Sequence, residues 1–261
     1  MERVPVKIDP EKYPVAFRSL LDGAQVYDSR CHSGAEVLFI DRDDGYYLKS
    51  MKRGDLEAEA KMTKYFGELG LGTRVLAFEQ DERDYMLTAR VHGEDCTHSQ
   101  YLSDPKRLCE VYAELLYDLH NRDFSGCPAQ DRVASYRAMA YENYRTGNYD
   151  KESFPDSFGY ASAEEAMAVI EKYGSALKSD TLIHGDYCLP NVMLDNWRFS
   201  AFIDVGNGGV GDRHIDLFWG VWTLWYNLGT HEYEDRFLDA YGRQNFEKDL
   251  LRVVAAYEVF G

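Results

Sequence analysis

The chain has 261 residues, of which 45% are hydrophobic, so it can bury a core in one large domain or in two lobes. Its 45 acidic and 29 basic side chains give a formal net charge of −16. That charge repels nucleic acid and anionic membrane surfaces and attracts cationic small molecules, so a cationic small molecule is the expected partner. The oligomeric state is left open.

The longest apolar run, residues 217–225, is about half the roughly 20 residues that a membrane span needs. The first ten residues lack a basic stretch followed by an apolar core, so a cytoplasmic protein is predicted. The five cysteines are scattered and form no C-x-x-C pair, so neither a zinc site nor a disulfide framework is expected.

The first third of the sequence is rich in strand and turn signals. Strands are predicted in two hairpins, at 35–40 with 46–50 and at 73–80 with 85–91. Between the hairpins, Asp55 is predicted to cap a helix that ends near Leu69. Residues 1–92 are therefore expected to form a small lobe, with a sheet and one helix.

Residues 93–261 are predicted to form a second, mostly helical lobe. One helix should run from Pro105 to about His120, and Ser162 with Glu165 forms a capping box for another. Two short strands, at 191–195 and 199–205, interrupt the helices. The predicted class is an α+β fold with two lobes.

The sequence HGDYCLPN, residues 184–191, carries the clearest chemical signal. Phosphoryl transfer needs an acidic group to orient the attacking hydroxyl and oxygen ligands to hold magnesium. Asp186 would be the base, and Asn191 and Asp204 would be metal ligands; Asp204 belongs to the IDVG motif that follows. Kinases carry H-R-D-x-x-x-x-N and then D-F-G in the same order. Taken alone, the first motif could be explained by an Asp in a turn and an Asn in an Asx-turn. The presence of both motifs in this order favours a catalytic role.

Two charged residues upstream agree with this hypothesis. Lys49 lies in an apolar strand, where a kinase carries the lysine that binds the nucleotide phosphates. On the next helix, Glu59 lies near the edge of the apolar stripe, whereas Glu57 aligns with Lys61 as an ordinary surface pair. Glu59 is therefore the predicted partner of Lys49; the alternative is that both are surface charges.

Five features of the sequence resemble, in order and spacing, those of the aminoglycoside 3'-phosphotransferases. They are SGAEV (33–37), the Lys49–Glu59 pair, HGDYCLPNVM, FSAFIDVG and GDRHIDL (211–217). These enzymes belong to the antibiotic and choline kinase-like superfamily. The resemblance implies a bilobal, protein-kinase-like fold, Mg²⁺ as cofactor, and ATP, or GTP in its place, as phosphoryl donor. The implied acceptor is a hydroxyl of a kanamycin- or neomycin-type aminoglycoside, the 3'-OH.

The resemblance also implies further site residues. Additional nucleotide contacts are expected at Ser33, Gly34, Ala35, Ala89 and Val91. Substrate contacts are expected at Phe260, near the aromatic end, and at four nearby acids that could compensate for departures from the family pattern: Asp150, Glu152, Asp156 and Glu258. For each of those acids the alternative is an ordinary surface charge. Asp212 and Asp216 are expected to be a helix cap and a buried charge that orients the catalytic loop.

The sequence departs from the family pattern where the substrate would bind. Asn207 stands where relatives carry Arg, Tyr226 and Asn227 stand where they carry acids, and Gly261 follows the usual aromatic end. Alternative functions are a kinase of another alcohol, such as a choline-like, macrolide or sugar compound, or a nucleotide-binding protein without catalysis. A protein kinase is disfavoured because only ten residues separate Gly206 from Leu217, and a dehydrogenase because no G-x-G-x-x-G occurs.

Overall fold

The structure, a computed structural model, describes residues 3–29, 34–149 and 158–261. By its internal contacts the chain forms two compact units. The first comprises Met1–Asp95 with Met193–Gly206, and the second comprises Cys96–Val192 with Asn207–Gly261. The predicted division at residues 92 and 93 was continuous in sequence, whereas the first unit also contains a segment from much later in the chain. The assignment of separate functions to the two lobes stays a prediction.

The first unit is built on a six-stranded antiparallel sheet with the order β1-β2-β3-β4-β6-β5. Its strands are β1 (Val4–Val6), β2 (Gln25–Asp28), β3 (Glu36–Asp41), β4 (Tyr46–Lys52), β5 (Val75–Gln80) and β6 (Arg83–Ala89). Both predicted hairpins, β3–β4 and β5–β6, are present.

The described residues of this unit contain two α-helices, α1 (Val15–Leu21) and α2 (Glu57–Glu68). They pack on opposite faces of the sheet. Leu48 and Leu87 share a buried cluster with Phe17 of α1, while Met86 shares another with Ala60 of α2. Because successive side chains of a strand point to opposite faces, the residue after Leu48 faces α2. This alternation places Lys49 on the α2 face.

The predicted start of α2 needs a correction. Asp55 was expected to cap this helix, but the residue before its first turn is Leu56, and no side chain caps it there. Instead, the buried carboxylate of Asp84, on β6, accepts hydrogen bonds from the backbone N–H groups of Gly54, at 2.8 Å, and Leu56, at 3.2 Å. The backbone just before α2 is thus held by a carboxylate from a neighbouring strand, which the local sequence does not reveal.

A second, three-stranded sheet has the order β10-β9-β7. Its strands are β7 (Glu94–Asp95), β9 (Val192–Asp195) and β10 (Arg198–Phe202). The N–H of Phe202 donates to the carbonyl of Leu71 at 2.8 Å, and the rings of Phe202 and Phe66 make an edge contact. These contacts tie residues 193–206 to the first unit. The strand predicted at 199–205 is shorter in the structure: β10 ends at Phe202, so Asp204 lies beyond the end of the strand.

The second unit is mainly helical. Its helices are α3 (Ser99–Leu102), α4 (Pro105–His120), α5 (Arg132–Thr146), α6 (Ala163–Tyr173), α7 (Arg213–Leu228), α8 (Glu234–Tyr241) and α9 (Lys248–Glu258). The strands β8 (Thr181–Ile183) and β11 (Gly209–Gly211) pair antiparallel. The capping box of α6 is confirmed, because the N–H of Glu165 donates to Ser162 at 3.2 Å. The α+β class, a sheet-rich first part followed by a helical part, is confirmed as well.

The core of the second unit lies where α9 packs against α6 and α7, and α7 also contacts β8. Ile170, Ile183, Val254 and Phe260 are among its buried residues. None of the helices in the described parts of the chain has the length and hydropathy needed to cross a membrane.

Candidate active site

In the first unit, Lys49 is held between two carboxylates. Its Nζ lies 2.7 and 2.9 Å from the two oxygens of Glu59, on α2, and 3.1 Å from Oδ1 of Asp204. The side chains of Lys49 and Glu59 are only 16% and 15% exposed, whereas that of Asp204 is 51% exposed. The structure therefore brings Lys49 and its predicted partner Glu59 together with Asp204, which the sequence had singled out in a separate motif.

Electrostatics keep the Lys49 ammonium charged. Burial lowers its pKa, but the carboxylates of Asp204 and Glu59 raise it by more, so the net shift is upward. Glu57, the rejected partner, pairs instead with Lys61 on the exposed side of α2, at 2.6 Å. A buried, charged lysine fixed in one orientation is suited to binding an anion such as a phosphate.

Backbone geometry next to this cluster places Asp204. Asp204 has φ of 54°, a left-handed conformation that is uncommon outside glycine. Two residues later, a Cβ added to Gly206 would lie 3.1 Å from Cγ of Glu59. The glycine of the IDVG motif therefore allows the backbone after Asp204 to approach α2 closely.

In the second unit, Asp186 and Asn191 lie on the loop that follows β8. Nδ2 of Asn191 donates to the carboxylate of Asp186 at 2.9 Å and to its carbonyl at 3.0 Å. Residues 189–191 form a single 3₁₀ turn that brings Asn191 back toward Asp186. This contact explains the spacing of five residues in the motif, and it leaves the amide oxygen of Asn191 as the atom that can bind a metal ion.

The start of this loop is fixed by a buried carboxylate, as the sequence predicted for Asp216. Asp216, on α7, is fully buried and accepts the N–H groups of His184 and Gly185, each at 2.7 Å. His120 Nε2 lies 3.1 Å from the same carboxylate, and its Nδ1 lies 2.8 Å from the hydroxyl of Tyr241. Burial lowers the pKa of His120, so the ring is neutral and Nε2 carries the proton.

Gly185 is required where it stands. Its φ is +82°, and an added Cβ would lie 2.1 Å from the carbonyl oxygen of Asn207, which is a clash. Asn207, where the resemblance led us to expect Arg, is itself bound by Arg132 of α5: Nε donates to its carbonyl at 2.9 Å and Nη2 to its side chain at 3.3 Å. The residues that follow IDVG therefore pack directly against the start of the catalytic loop.

The middle of the loop is held by α4 and α7. Tyr187 stacks on Tyr112 of α4 with ring centres 4.4 Å apart, and each hydroxyl donates to the other residue's carbonyl. On α7, the hydroxyl of Thr223 accepts the N–H of Leu189 at 3.2 Å. Sequence reasoning did not find these supports or His120, because each lies far along the chain from the loop and has no local signal.

Glu258, a predicted substrate residue at the end of α9, lies in the same neighbourhood. Its Oε1 accepts hydrogen bonds from the hydroxyl of Tyr136, at 2.5 Å, and from the indole of Trp219, at 2.9 Å. Burial raises the pKa of Glu258 to about 7, and the negative charge of Asp186 adds to the shift. Glu258 and Asp186 are thus close enough to repel each other.

The other predicted site residues are less informative. Phe260 is fully buried, with Tyr144 and Tyr149 at its edges, so its ring belongs to the core. Ser33, Asp150, Glu152 and Asp156 lie outside the described residues.

Four residues remain of the predicted nucleotide contacts. Gly34 is exposed at a turn, Ala35 is buried before β3, and Val91 follows β6. The N–H of Ala89 donates to Arg74 at 3.0 Å, and its carbonyl accepts the hydroxyl of Thr73. A nucleotide role for these residues stays a prediction.

Taken by themselves, the two units hold the parts of a phosphoryl-transfer enzyme: a clamped lysine in one, and a carboxylate on a rigid loop in the other. The model of the phosphotransferase enzyme family matches residues 30–257, and the chain belongs to this family. It is therefore an enzyme, a phosphotransferase with a hydroxyl group as acceptor.

Several known proteins resemble the chain along most of its length. It is 46% identical over 257 residues to a probable aminoglycoside 3'-phosphotransferase of Lactococcus lactis subsp. lactis, covering 98% of both chains. It is 26% identical to an aminoglycoside 3'-phosphotransferase of Niallia circulans, covering 80% of this chain and 78% of the relative.

Solved structures show the same fold. The crystal structure of an aminoglycoside-3'-phosphotransferase of type VIII matches with a TM-score of 0.77 and 25% identity, covering 94% of this chain and 97% of the other. An aminoglycoside phosphotransferase from Streptomyces rimosus, in complex with ADP and streptomycin, matches with a TM-score of 0.71 and 22% identity, covering 86% and 90%.

Proposed function

We propose that this enzyme transfers the γ-phosphoryl group of ATP to a hydroxyl of an aminoglycoside of the kanamycin or neomycin type, at the 3' position. The observation that carries the proposal is the Asp186–Asn191 contact on a loop that Asp216 fixes through two backbone N–H groups. The names of the relatives, which are aminoglycoside 3'-phosphotransferases, support the choice of acceptor.

In the proposed reaction, Asp186 accepts the proton of the acceptor hydroxyl while the oxygen of that hydroxyl attacks the γ-phosphorus. The bond to the leaving phosphate oxygen breaks, and ADP departs with the electron pair. The hydrogen bond from Asn191 holds the carboxylate of Asp186 in one rotamer, so one oxygen is kept for the acceptor. A base positioned in this way contributes typically about 10²- to 10⁴-fold to the rate.

The residues present fit a magnesium nucleotide. Mg²⁺ prefers oxygen ligands and is usually bound through one or two protein carboxylates together with phosphates and water. Asp204 offers a half-exposed carboxylate and Asn191 an amide oxygen, and we assign them as the metal ligands. When bound, the metal ion neutralises charge on the phosphates. The ammonium of Lys49, fixed by Glu59, would bind the α and β phosphates.

The cationic acceptor is supported by charge. The chain carries a formal net charge of −16, and Glu258 lies near enough to Asp186 for the two carboxylates to interact. An ammonium group of the acceptor placed beside Glu258 would stabilise its ionised form. We therefore propose Glu258 as a direct contact of the acceptor, while the ring of Phe260 is left out because it is buried.

A turnover panel tests this function. Purified protein with Mg²⁺ and either ATP or GTP is incubated with kanamycin, neomycin, gentamicin, streptomycin, a macrolide and choline, and ADP or GDP release is measured. Phosphorylation of kanamycin or neomycin at the 3' position, located by NMR of the product, is the expected result. Turnover of a neutral alcohol and of none of the four aminoglycosides would contradict the proposal and favour another alcohol kinase.

A further inference from the structure

One face of α7 carries a row of large aromatic side chains that the proposed chemistry does not use. The face is formed by residues at positions i, i+3, i+4 and i+7 of the helix, which share one side: Trp219, Trp222, Thr223 and Tyr226. The rings of Trp219 and Trp222 make an edge contact at 5.4 Å. Trp222 and Tyr226 lie parallel, with ring centres 5.0 Å apart and planes inclined by 10°.

This row begins at the catalytic loop. Trp219 donates its indole N–H to Glu258, and Thr223 binds the backbone of Leu189. The aromatic face of α7 therefore starts beside the loop that carries Asp186 and leads away from it toward Tyr226, all within the second unit.

Tyr226 ends the row with a surface open to solvent. It is 66% exposed, more than any other large hydrophobic side chain in the described part of the second unit. Because one face of the ring lies against Trp222, the exposed area belongs to the opposite face and the edges. By contrast, the neighbouring Trp225 is stacked on His231, at 5.3 Å and 12°, so its face is already covered.

Trp222 is held in place by stacking and not by a hydrogen bond. Its indole N–H is enclosed and has no hydrogen-bond partner among the described residues, although such a buried donor normally has one. The ring supports Tyr226 from behind, and a tyrosine fixed in this way loses little conformational entropy when a ligand binds.

We infer that Tyr226, supported by Trp222, is an acceptor-binding residue: a ring of the acceptor that carries a protonated amine stacks on its exposed face. An aromatic face attracts ammonium groups through its quadrupole. Glu258, at the other end of the row, provides the complementary negative charge. The inference rests on the proposed function and deepens it, because it assigns specificity to aromatic stacking at the position where acids were expected.

The test uses the full chain and the variants Tyr226→Ala and Tyr226→Phe, with Tyr173→Ala as a control. Tyr173 is another exposed tyrosine of the second unit, on α6 and 47% exposed. Dissociation constants for kanamycin and neomycin are measured by calorimetry without nucleotide, and KM and kcat are measured with saturating Mg-ATP. Melting temperatures report on folding.

We expect Tyr226→Ala to raise Kd and KM for at least one of the two drugs by roughly 3- to 30-fold, the range of a cation–π contact. The kcat, the KM for ATP and the melting temperature should stay near their wild-type values, and Tyr226→Phe and Tyr173→Ala should bind like the wild type. A merely structural role of Tyr226 would not change Kd without changing the melting temperature.

Two failures can be told apart. If the wild type phosphorylates either drug and Tyr226→Ala binds both drugs as tightly as the wild type, the aromatic contact is wrong and the proposed function stands. If the wild type neither binds nor phosphorylates kanamycin or neomycin, the proposed function and the aromatic contact are both overturned.

Discussion

Glu258→Gln should stabilise the protein, increasingly so as the pH rises. The carboxylate of Glu258 has its pKa raised from 4.5 to about 7, first by burial and then by Asp186. Below pH 4.5 the folded and unfolded states both bind the proton. Between pH 4.5 and about 7 the unfolded state loses the proton while the folded state keeps it, so the free energy of unfolding falls as the pH rises. Above pH 7 the loss is complete.

The size of the effect follows from the shift. At about 1.4 kcal/mol per pKa unit, a shift from 4.5 to about 7 costs the folded state about 3 kcal/mol at pH 8. The loss at pH 5 is less than about 1 kcal/mol by the same relation. A glutamine carries no charge, and its oxygen can still accept the hydrogen bonds from Tyr136 and Trp219. The gain of the variant should therefore appear mainly at high pH.

Thermal unfolding of both proteins from pH 5 to pH 8 measures this difference. A gain of about 3 kcal/mol corresponds to roughly 6–12 °C in Tm for a chain of this size. In an Asp186→Asn background the pH dependence should be smaller, because one source of the shift is gone. Equal differences in Tm at pH 5 and pH 8 would refute the reasoning. The variant should also raise KM for a cationic acceptor, which would explain why a destabilising charge is kept.

Three further outcomes test the proposed chemistry. Asp186→Asn should lower kcat about 10²- to 10⁴-fold with little change in nucleotide affinity, and near-normal turnover would exclude Asp186 as the base. Lys49→Ala should raise KM for ATP or lower kcat, and Glu59→Ala should do the same less strongly. Because both residues act on one contact, their effects should not add in the double variant. Glu57→Ala, the control, should leave kcat and KM unchanged. Asp204→Ala should abolish Mg²⁺-dependent turnover, and activity that still rises with added Mg²⁺ would reject Asp204 as a ligand.

Much of the fold could be predicted because its signals are local. The hairpin strands, the capping box at Ser162 and the helix that starts at Pro105 each follow from residues a few positions apart. Asp55 was wrongly expected to cap α2; the backbone before this helix is held instead by Asp84, which lies 28 residues after Leu56. The placement of 193–206 in the first unit also depends on distant contacts, with Leu71 and Phe66.

The same difference between local and distant signals applies to the candidate site. The Lys49–Glu59 contact could be predicted from the order of kinase motifs and from helix periodicity, and the Asp186–Asn191 contact from a fixed spacing. The supports of the loop could not, since His120 precedes Asp216 by 96 residues. Sequence reasoning did propose Glu258 as a substrate residue, as one of several acids that could compensate for missing family acids, but its raised pKa depends on a burial that no local pattern reports.

The late segment of the first unit sets an order for folding during synthesis. The 97 residues of Cys96–Val192 are translated before Met193–Gly206, which completes that unit. At roughly 5–20 residues per second, this leaves an interval of about 5–20 s. During it, the carbonyl of Leu71 and the ring of Phe66 lack their partner Phe202. A nascent chain ending near Asp95 is therefore an incomplete domain, exposed to chaperones and proteases until the ribosome has passed Gly206.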